Sequence, residues 1–367
     1  MAAANTDDSN TPNLVYPIGK IIHLKMSTPN QKQATLHVKI KQQKQPWTLS
    51  CGMVVELKDA GDSESISATL RNQSEAFLKM FDRRFAEQIR QDNGIDAWSG
   101  DMEQEFLTAL TSGRAEEFLR KLQTVLDFQR DTEDDWDAAE NEVYLATELR
   151  KCFASEIATY ARLEEYQGKI IPRFLASFIL DVPSSNMALT TQQQELFKQQ
   201  GILLQYLAGF SLSTLVDNAP ETSWQAIVDQ AIEIVHVLGD HGILNADVRP
   251  DNFIVVPKDD SYQVFMIDFG QCRFRRENES DAEWGRAKWR QDEEGAVDRA
   301  GKFGSYGIAL DFNLPQEIGV KVRAISMISK ITKRDAEELA SRWQILLRGL
   351  VGGERSLALA ADTGRGS

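Results

Sequence analysis

The chain has 367 residues, of which 42% are hydrophobic and 26% are charged, and this composition predicts a globular protein with a large core. The 55 acidic and 41 basic residues give a net charge of −14, which argues against nucleic acid or an anionic membrane as the main partner. Three cysteines without paired spacing favour reduced thiols, and no apolar run is long enough to span a bilayer, so we expect a cytoplasmic protein.

The first part of the chain has the pattern of strands. Residues 1–13 are small and polar and predict a disordered tail. Over residues 14–70, short alternating bursts such as ATLHVKI indicate an antiparallel sheet, and a further strand is indicated at residues 76–81. Lys79 lies between two apolar neighbours in that strand. A lysine in the middle of a strand most often lies on the face that is exposed to solvent.

Helical spacing then dominates. Apolar residues over about 90–165 predict a helical insertion, whose last long helix begins near the acidic run at 131–142 and carries Glu156. We expect this helix to end near Tyr166, and RFLASFIL predicts a strand after it.

The second half of the chain alternates strand and helix patterns. Residues 201–216, GILLQYLAGFSLSTLV, begin as a buried strand, and 223–238 predict a buried helix capped by Thr222 or Ser223. Two or three helices are predicted near the end, at about 315–330 and 333–348, followed by a flexible tail over residues 352–367.

Three polar residues surround a predicted β-hairpin, NFIVV and QVFMI joined by the turn at 257–260. Asp247 and Asn252 lie before or at the start of its first strand, and Asp268 directly follows its second. Because a hairpin brings its two outer ends together, we expect the three side chains to share one site. Oxygen ligands of this kind suit Mg²⁺.

Two motifs in this stretch resemble those of the protein-kinase-like superfamily. The spacing N-x-D-x-x-x-x-N over residues 245–252 resembles the catalytic loop H-R-D-x-x-x-x-N, and residues 268–270 resemble the D-F-G triplet. AFLK followed by MFDRRFA is similar to the lysine-bearing strand of kinase-like proteins common in fungi, which include aminoglycoside-phosphotransferase-like members.

The resemblance implies a role for each candidate residue. Asp247 would accept the proton of a substrate hydroxyl, Arg249 would face the transferring phosphoryl group, and Asn252 and Asp268 would hold Mg²⁺. Lys79 would contact the α- and β-phosphates of ATP. The backbone of three hinge residues, Gln205, Tyr206 and Leu207, would bind the adenine edge.

A glutamate on the long helix is expected to pair with the lysine. Glu156 is favoured by its distance to the following turn, and four other glutamates compete for this role: Glu142, Glu148, Glu164 and Glu165.

Three features depart from the superfamily pattern or leave alternatives open. Asn245 and Ala246 replace the His and Arg of the catalytic loop, and residues 48–55, where a phosphate-covering loop would lie, contain a single glycine. The arginines over 273–276 either present an anionic substrate to Asp247 or belong to a solvated loop.

The resemblance implies an α+β, bilobal protein-kinase-like fold. We expect a small antiparallel N-lobe sheet with the helical insertion, residues 14–204, and a mainly helical C-lobe, residues 205–351. The implied function is an ATP-dependent phosphotransferase that moves the γ-phosphate to a hydroxyl of an unidentified protein or small molecule. The alternative is a pseudokinase, a nucleotide-binding or scaffold protein without transfer.

Overall fold

The computed structural model describes residues 15–27, 33–58, 73–180 and 190–299. All of these belong to one compact unit, Met1–Ile308. The predicted N-terminal tail, the helices at 315–330 and 333–348, and the tail at 352–367 lie outside the described residues.

Six antiparallel strands form a closed barrel. They are β1 (Ile21–Ser27), β2 (Gln33–Lys44), β3 (Cys51–Lys58), β4 (Glu75–Phe81), β5 (Phe174–Leu180) and β6 (Gln199–Gln205), hydrogen-bonded in the order β1-β2-β3-β4-β6-β5. Alternate residues of β1, β2, β3 and β4 fill the interior, as the period of two in a strand requires. On β4 these are Ala76, Leu78 and Met80, so Lys79 points outward.

Closure of the barrel shows that the predicted fold class is wrong. β1 pairs with β2 over its whole length and also with β5, where Lys25 faces Ile179, so no edge of an open N-lobe sheet remains. After Gln205, the described residues contain five short strands beside four α-helices. The β1–β5 pairing joins segments more than 150 residues apart, and no local pattern in the sequence predicts it.

Helices fill the chain between β4 and β5. They are α1 (Glu87–Asp92), α2 (Gly100–Thr111), α3 (Arg114–Thr124), α4 (Phe128–Thr132) and α5 (Ala138–Arg162). Asp137 caps α5 in a capping box with Glu140, which satisfies two backbone donors at the helix start. Phe106 of α2, Phe118 of α3 and Val143 of α5 share one apolar cluster. The long helix ends at Arg162, one turn before the predicted end.

The remaining helices and strands lie outside the barrel. They are α6 (Thr191–Phe197), which precedes β6, and then β7 (Phe210–Ser211), α7 (Leu215–Asn218), α8 (Glu221–Asp240), β8 (Ile243–Asn245), β9 (Phe253–Lys258), β10 (Ser261–Met266), β11 (Cys272–Phe274), α9 (Asp281–Gln291) and α10 (Glu293–Arg299). The N-cap of α8 is Pro220, so the predicted caps Thr222 and Ser223 are wrong and lie inside the helix. Within the described ranges, no helix combines the length and apolar character that crossing a membrane requires.

Two small sheets position the polar residues of the second half. β9 and β10 form a hairpin in which Phe253 faces Met266, and β7 extends it to three strands. β8 pairs with β11, so the segments before Asp247 and after Asp268 lie side by side. Asp259, with φ +37°, makes the tight hairpin turn.

Candidate functional site

Lys79 is the centre of the site. Its ammonium group is 2.6 Å from Glu156 Oε2 and 2.8 Å from Asp268 Oδ1, and the residue is only 5% exposed. Its neighbours across the barrel wall are Gly52 on β3 and Ile202 on β6. A lysine buried between two carboxylates is not on the solvated face that its strand position alone would predict.

Glu156 extends from α5 towards the barrel wall and is completely buried. The competing glutamates at the start of the helix are engaged elsewhere. Glu142 binds Arg83 and Arg90, and Glu148 contacts Lys151 on its own helix. Among the described residues, Glu156 is therefore the helix carboxylate that reaches Lys79.

The three charged groups shift one another's protonation. Burial lowers the pKa of Lys79, but the charges of Asp268 and Glu156 outweigh burial and raise it above its ordinary value. Burial alone would raise the pKa of Asp268, yet the Lys79 ammonium holds it below its usual range. Burial raises the pKa of Glu156 to about 7, against the opposing charge of Lys79. One cation thus serves two carboxylates, and Glu156 is the one more easily protonated.

Asp268 occupies an unusual backbone conformation. Its φ is +65°, in the left-handed region that aspartate tolerates better than most residues. The Ile267 N–H donates to Asn252 O at 2.8 Å, and the Gly270 N–H donates to Asp268 Oδ1 at 3.3 Å. The sharp turn after β10 therefore aims the carboxylate at Lys79.

Asp247 and Asn252 form the second half of the site. Asn252 Nδ2 donates to Asp247 Oδ2 at 3.0 Å and to the Asp247 carbonyl at 2.8 Å. Arg249 Nε lies 3.5 Å from Asp247 Oδ1 and, although buried, makes no hydrogen bond. Burial raises the pKa of Asp247, and the charge of Asp268 adds to this effect. The charge of one aspartate therefore affects the protonation of the other.

Asn245 connects the two halves, although its place in the sequence marks it only as a departure from the catalytic-loop motif and not as a site residue. Its Oδ1 accepts from the Asp247 N–H at 2.8 Å, and its Nδ2 donates to Asp268 O at 3.2 Å. Its own N–H donates to Glu293 Oε1 at 2.8 Å, and its side chain is fully buried. An amide can accept and donate at once, so Asn245 fixes both aspartate segments.

Two oxygen atoms of the site could hold a cation. Asp268 Oδ2 and Asn252 Oδ1 have no hydrogen-bond partner among the described residues, while Lys79 occupies Asp268 Oδ1. Among the residues that the structure describes, no group of three or more His, Cys, Asp or Glu side chains could hold a metal ion by itself. Mg²⁺ suits such a sparse set because it commonly takes one or two carboxylates together with substrate phosphates.

The proposed hinge offers two backbone donors rather than three. The Gln205 N–H donates to Arg173 O at 2.9 Å, so it is already used. The N–H groups of Tyr206 and Leu207 have no backbone acceptor among the described residues, and both residues are partly exposed. A ligand edge could bind to these two positions.

The segment before β3 is held against the end of the barrel. Trp47 and Leu49 are buried, and Trp47 packs edge-to-face on Phe85 with ring centroids 5.3 Å apart. The Trp47 Nε1–H donates to Gly52 O at 3.2 Å, and the Gln88 N–H donates to Thr48 O at 3.1 Å. This segment is therefore tied down on both sides, unlike a free glycine loop.

The arginine cluster after the D-F-G triplet is largely neutralised. Arg273 makes a bidentate pair with Glu279 at 2.9 and 3.0 Å, and Arg275 pairs with Asp281 at 2.5 Å. Arg276 is exposed. Two of the three cations thus stabilise their own loop.

Six side chains of the site belong to two linked groups: Lys79, Glu156 and Asp268 in one, and Asn245, Asp247 and Asn252 in the other. The chain matches no protein-family model and no curated protein. We therefore infer a function from the geometry and chemistry of these groups.

Proposed function

We propose that this protein is an ATP-dependent phosphotransferase that uses Mg²⁺ and moves the γ-phosphate of ATP to a hydroxyl group. The acceptor is an unidentified protein or small molecule. The observation that carries the proposal is the contact of Lys79 with both Glu156 and Asp268, beside the hydrogen-bonded pair of Asp247 and Asn252. Phosphoryl transfer needs a phosphate-binding cation, metal ligands and a base, and little else.

The first group of residues would bind and orient ATP. Lys79 stays charged in its buried position because two carboxylates surround it, so it can contact the α- and β-phosphates. Glu156 fixes the lysine from the α5 side. Asp268 and Asn252 would hold Mg²⁺, which neutralises the phosphate charge when bound. The N–H groups of Tyr206 and Leu207 would face the adenine edge.

Asp247 would act as the base. The acceptor hydroxyl gives its proton to Asp247 as its oxygen forms a bond to the γ-phosphorus, and the bond from that phosphorus to the bridging oxygen breaks to leave ADP. Burial raises the pKa of Asp247, which makes it a better proton acceptor than a fully solvated aspartate. Arg249, beside it, would face the phosphoryl group during transfer.

The proposal includes a cytoplasmic location, where ATP is abundant and where the three free thiols, Cys51, Cys152 and Cys272, would stay reduced. It includes no role for nucleic acid or membrane partners.

A pseudokinase, which binds a nucleotide or serves as a scaffold without transfer, is a second candidate. The observation that favours it is the segment with Trp47 and Leu49, which is fastened to the barrel end and so is not free to cover a triphosphate. The presence of Asp247 at the position of a catalytic base argues against a pseudokinase, since nucleotide binding alone requires no base.

Thermal unfolding with ATP and Mg²⁺, together with ADP release from pooled hydroxyl compounds and proteins, tests the proposal. Ligand at about 100 times its dissociation constant should stabilise the fold by roughly 2.7 kcal/mol. Asp247→Asn should keep this shift and lose ADP release, whereas Asp268→Asn should lose the metal-dependent part of the shift. Equal turnover by wild type and Asp247→Asn would remove the base from the mechanism. No shift with ATP would defeat both the phosphotransferase and a pseudokinase that binds nucleotide.

A further inference from the structure

A cavity of about 70 Å³ lies between the end of β4, the middle of α5, α6 and the start of β6. Its apolar lining residues are Phe81, Ala146, Leu149, Leu196 and Phe197. Lys79 and the two aspartates of the proposed site do not line it. The space is smaller than a cavity that holds a benzene ring, so it suits a short aliphatic group.

The rim of the cavity is cationic in a protein that is acidic as a whole. Four cationic residues line it, namely Arg83, Arg84, Arg150 and Lys198, against two acidic ones, Asp82 and Glu103. Arg84 pairs with Asp82 at 2.6 Å, and Arg83 pairs with Glu103 at 2.5 Å. The side of the rim near α2 is therefore balanced by its own carboxylates.

The opposite side of the rim has one carboxylate for two cations. Lys198 and Arg150 both contact Glu195, Lys198 closely and Arg150 at 3.6 Å. The side chain of Arg150 is 41% exposed, and neither cation has a second acidic partner among the described residues. One positive charge at this edge is thus uncompensated, and a guanidinium can bind a carboxylate through two parallel hydrogen bonds.

We propose that this cavity binds a carboxylate on a short aliphatic stem. The stem contacts Phe81, Leu149 and Leu196, and the carboxylate lies between Arg150 and Lys198. The same chemistry is offered by a small branched-chain acid and by the C-terminal residue of a peptide.

The position of the cavity links it to the Lys79–Glu156 pair. Phe81 follows Lys79 on the same face of β4, and its ring centre is 5.5 Å from the lysine Nζ. Leu149 and Glu156 are seven residues apart on α5, which is about two turns and therefore the same face of the helix. A ligand in the cavity consequently holds α5 against β4, next to the contact between Lys79 and Glu156.

Calorimetric titration of the full-length protein with isovalerate and with its neutral isostere isovaleramide tests the proposal. Isovalerate should bind saturably and at least about tenfold more tightly than the amide, as expected for one charge-assisted hydrogen bond. Arg150→Gln should weaken isovalerate by a similar factor. Arg120→Gln, an exposed paired arginine of α3 outside the cavity, is the matched control and should change nothing.

A second variant tests the position of the ligand. Ala146→Leu adds three carbon atoms to the wall of a space of about 70 Å³ and should abolish binding. In wild-type protein, isovalerate should slow amide exchange in α5, and in the filled variant it should not. If Ala146→Leu fails to fold, Arg150→Gln, which changes a partly exposed residue, decides alone.

Dipeptides ending in valine, with a free or an amidated terminus, distinguish the two sources of the carboxylate. Binding of the free acid or of the free peptide terminus, lost in Arg150→Gln, supports the site. Equal binding of isovalerate and isovaleramide, unchanged affinity in Arg150→Gln, or no binding by either carboxylate would overturn it. None of these titrations involves ATP, so the cavity and the proposed phosphotransferase can fail separately.

Discussion

Replacing Lys79 with methionine should destabilise the protein strongly, because it removes the single cation between a fully buried carboxylate and a partly buried one. Glu156 is fully buried, and the Asp268 side chain is 19% exposed, so water can replace the lysine only at Asp268. Removal of one partner of a buried ion pair typically costs about 3–5 kcal/mol. We expect a loss near the lower end of that range at pH 8, measured by reversible urea unfolding.

The loss should shrink as the pH falls. The pKa of Glu156 is already raised to about 7 in the intact triad, and without Lys79 it rises further. A carboxyl whose folded pKa exceeds its unfolded value binds more protons when folded, so stability falls as pH rises between the two values. Lys79→Met should therefore be closer to wild type at pH 5 than at pH 8.

A double variant makes the test specific. Lys79→Met with Glu156→Leu removes both charges and should be less destabilised than the sum of the single variants, by about 1–3 kcal/mol. Lys41→Met is the matched control, since Lys41 forms an exposed pair with Glu75 and should cost at most about 1 kcal/mol. Single effects that add to within about 0.5 kcal/mol would refute the coupling inferred from the geometry.

Two further predictions concern other contacts. Asn245→Ala should lower the rate of ADP release far more than it weakens ATP binding, because Asn245 positions both Asp247 and Asp268. If titration shows a change in ATP affinity and the rate of ADP release is unchanged, this role of Asn245 is contradicted. His236 lies 3.0 Å from Glu294, and a hydrogen bond to this carboxylate is the main cause that raises the pKa of His236. The contact therefore stabilises the protein fully below the unfolded pKa of histidine, and this stabilisation is lost as the pH rises through the folded pKa. His236→Gln should reduce the pH dependence of the free energy of unfolding in this range by about 1 kcal/mol or less. If the urea midpoint of the variant follows that of wild type at every pH between 6 and 8, the pair contributes nothing to stability.

Local patterns in the sequence indicated part of the site, and the resemblance to kinase-like motifs supplied the remaining candidates, including Lys79. The hairpin of β9 and β10 was visible from its strand and turn residues, and it explains why Asp247 and Asp268 lie near each other. The distance to the following turn favoured Glu156 over the four competing glutamates, and Glu156 lies 2.6 Å from Lys79. The roles of these residues in ATP binding and transfer stay predictions.

Long-range pairing limited what could be predicted. Nothing in β1 or β5 alone indicates that they meet, so the barrel was mistaken for an open sheet of a bilobal fold. The role of Asn245 was equally hidden, because it depends on carbonyl and amide groups brought together from β8 and the turn after β10. The one-sided charge at the cavity rim arises from Glu195 serving two cations, which only the folded chain displays.

The closed ring of strands has a mechanical consequence. β4 cannot slip along β3 without also losing its register with β6, and a shift by one residue would turn Lys79 into the apolar interior. The barrel wall that carries Lys79 therefore resists shear between its strands. Motion that makes or breaks the Lys79–Glu156 contact must come from sliding or rotation of α5 against that wall.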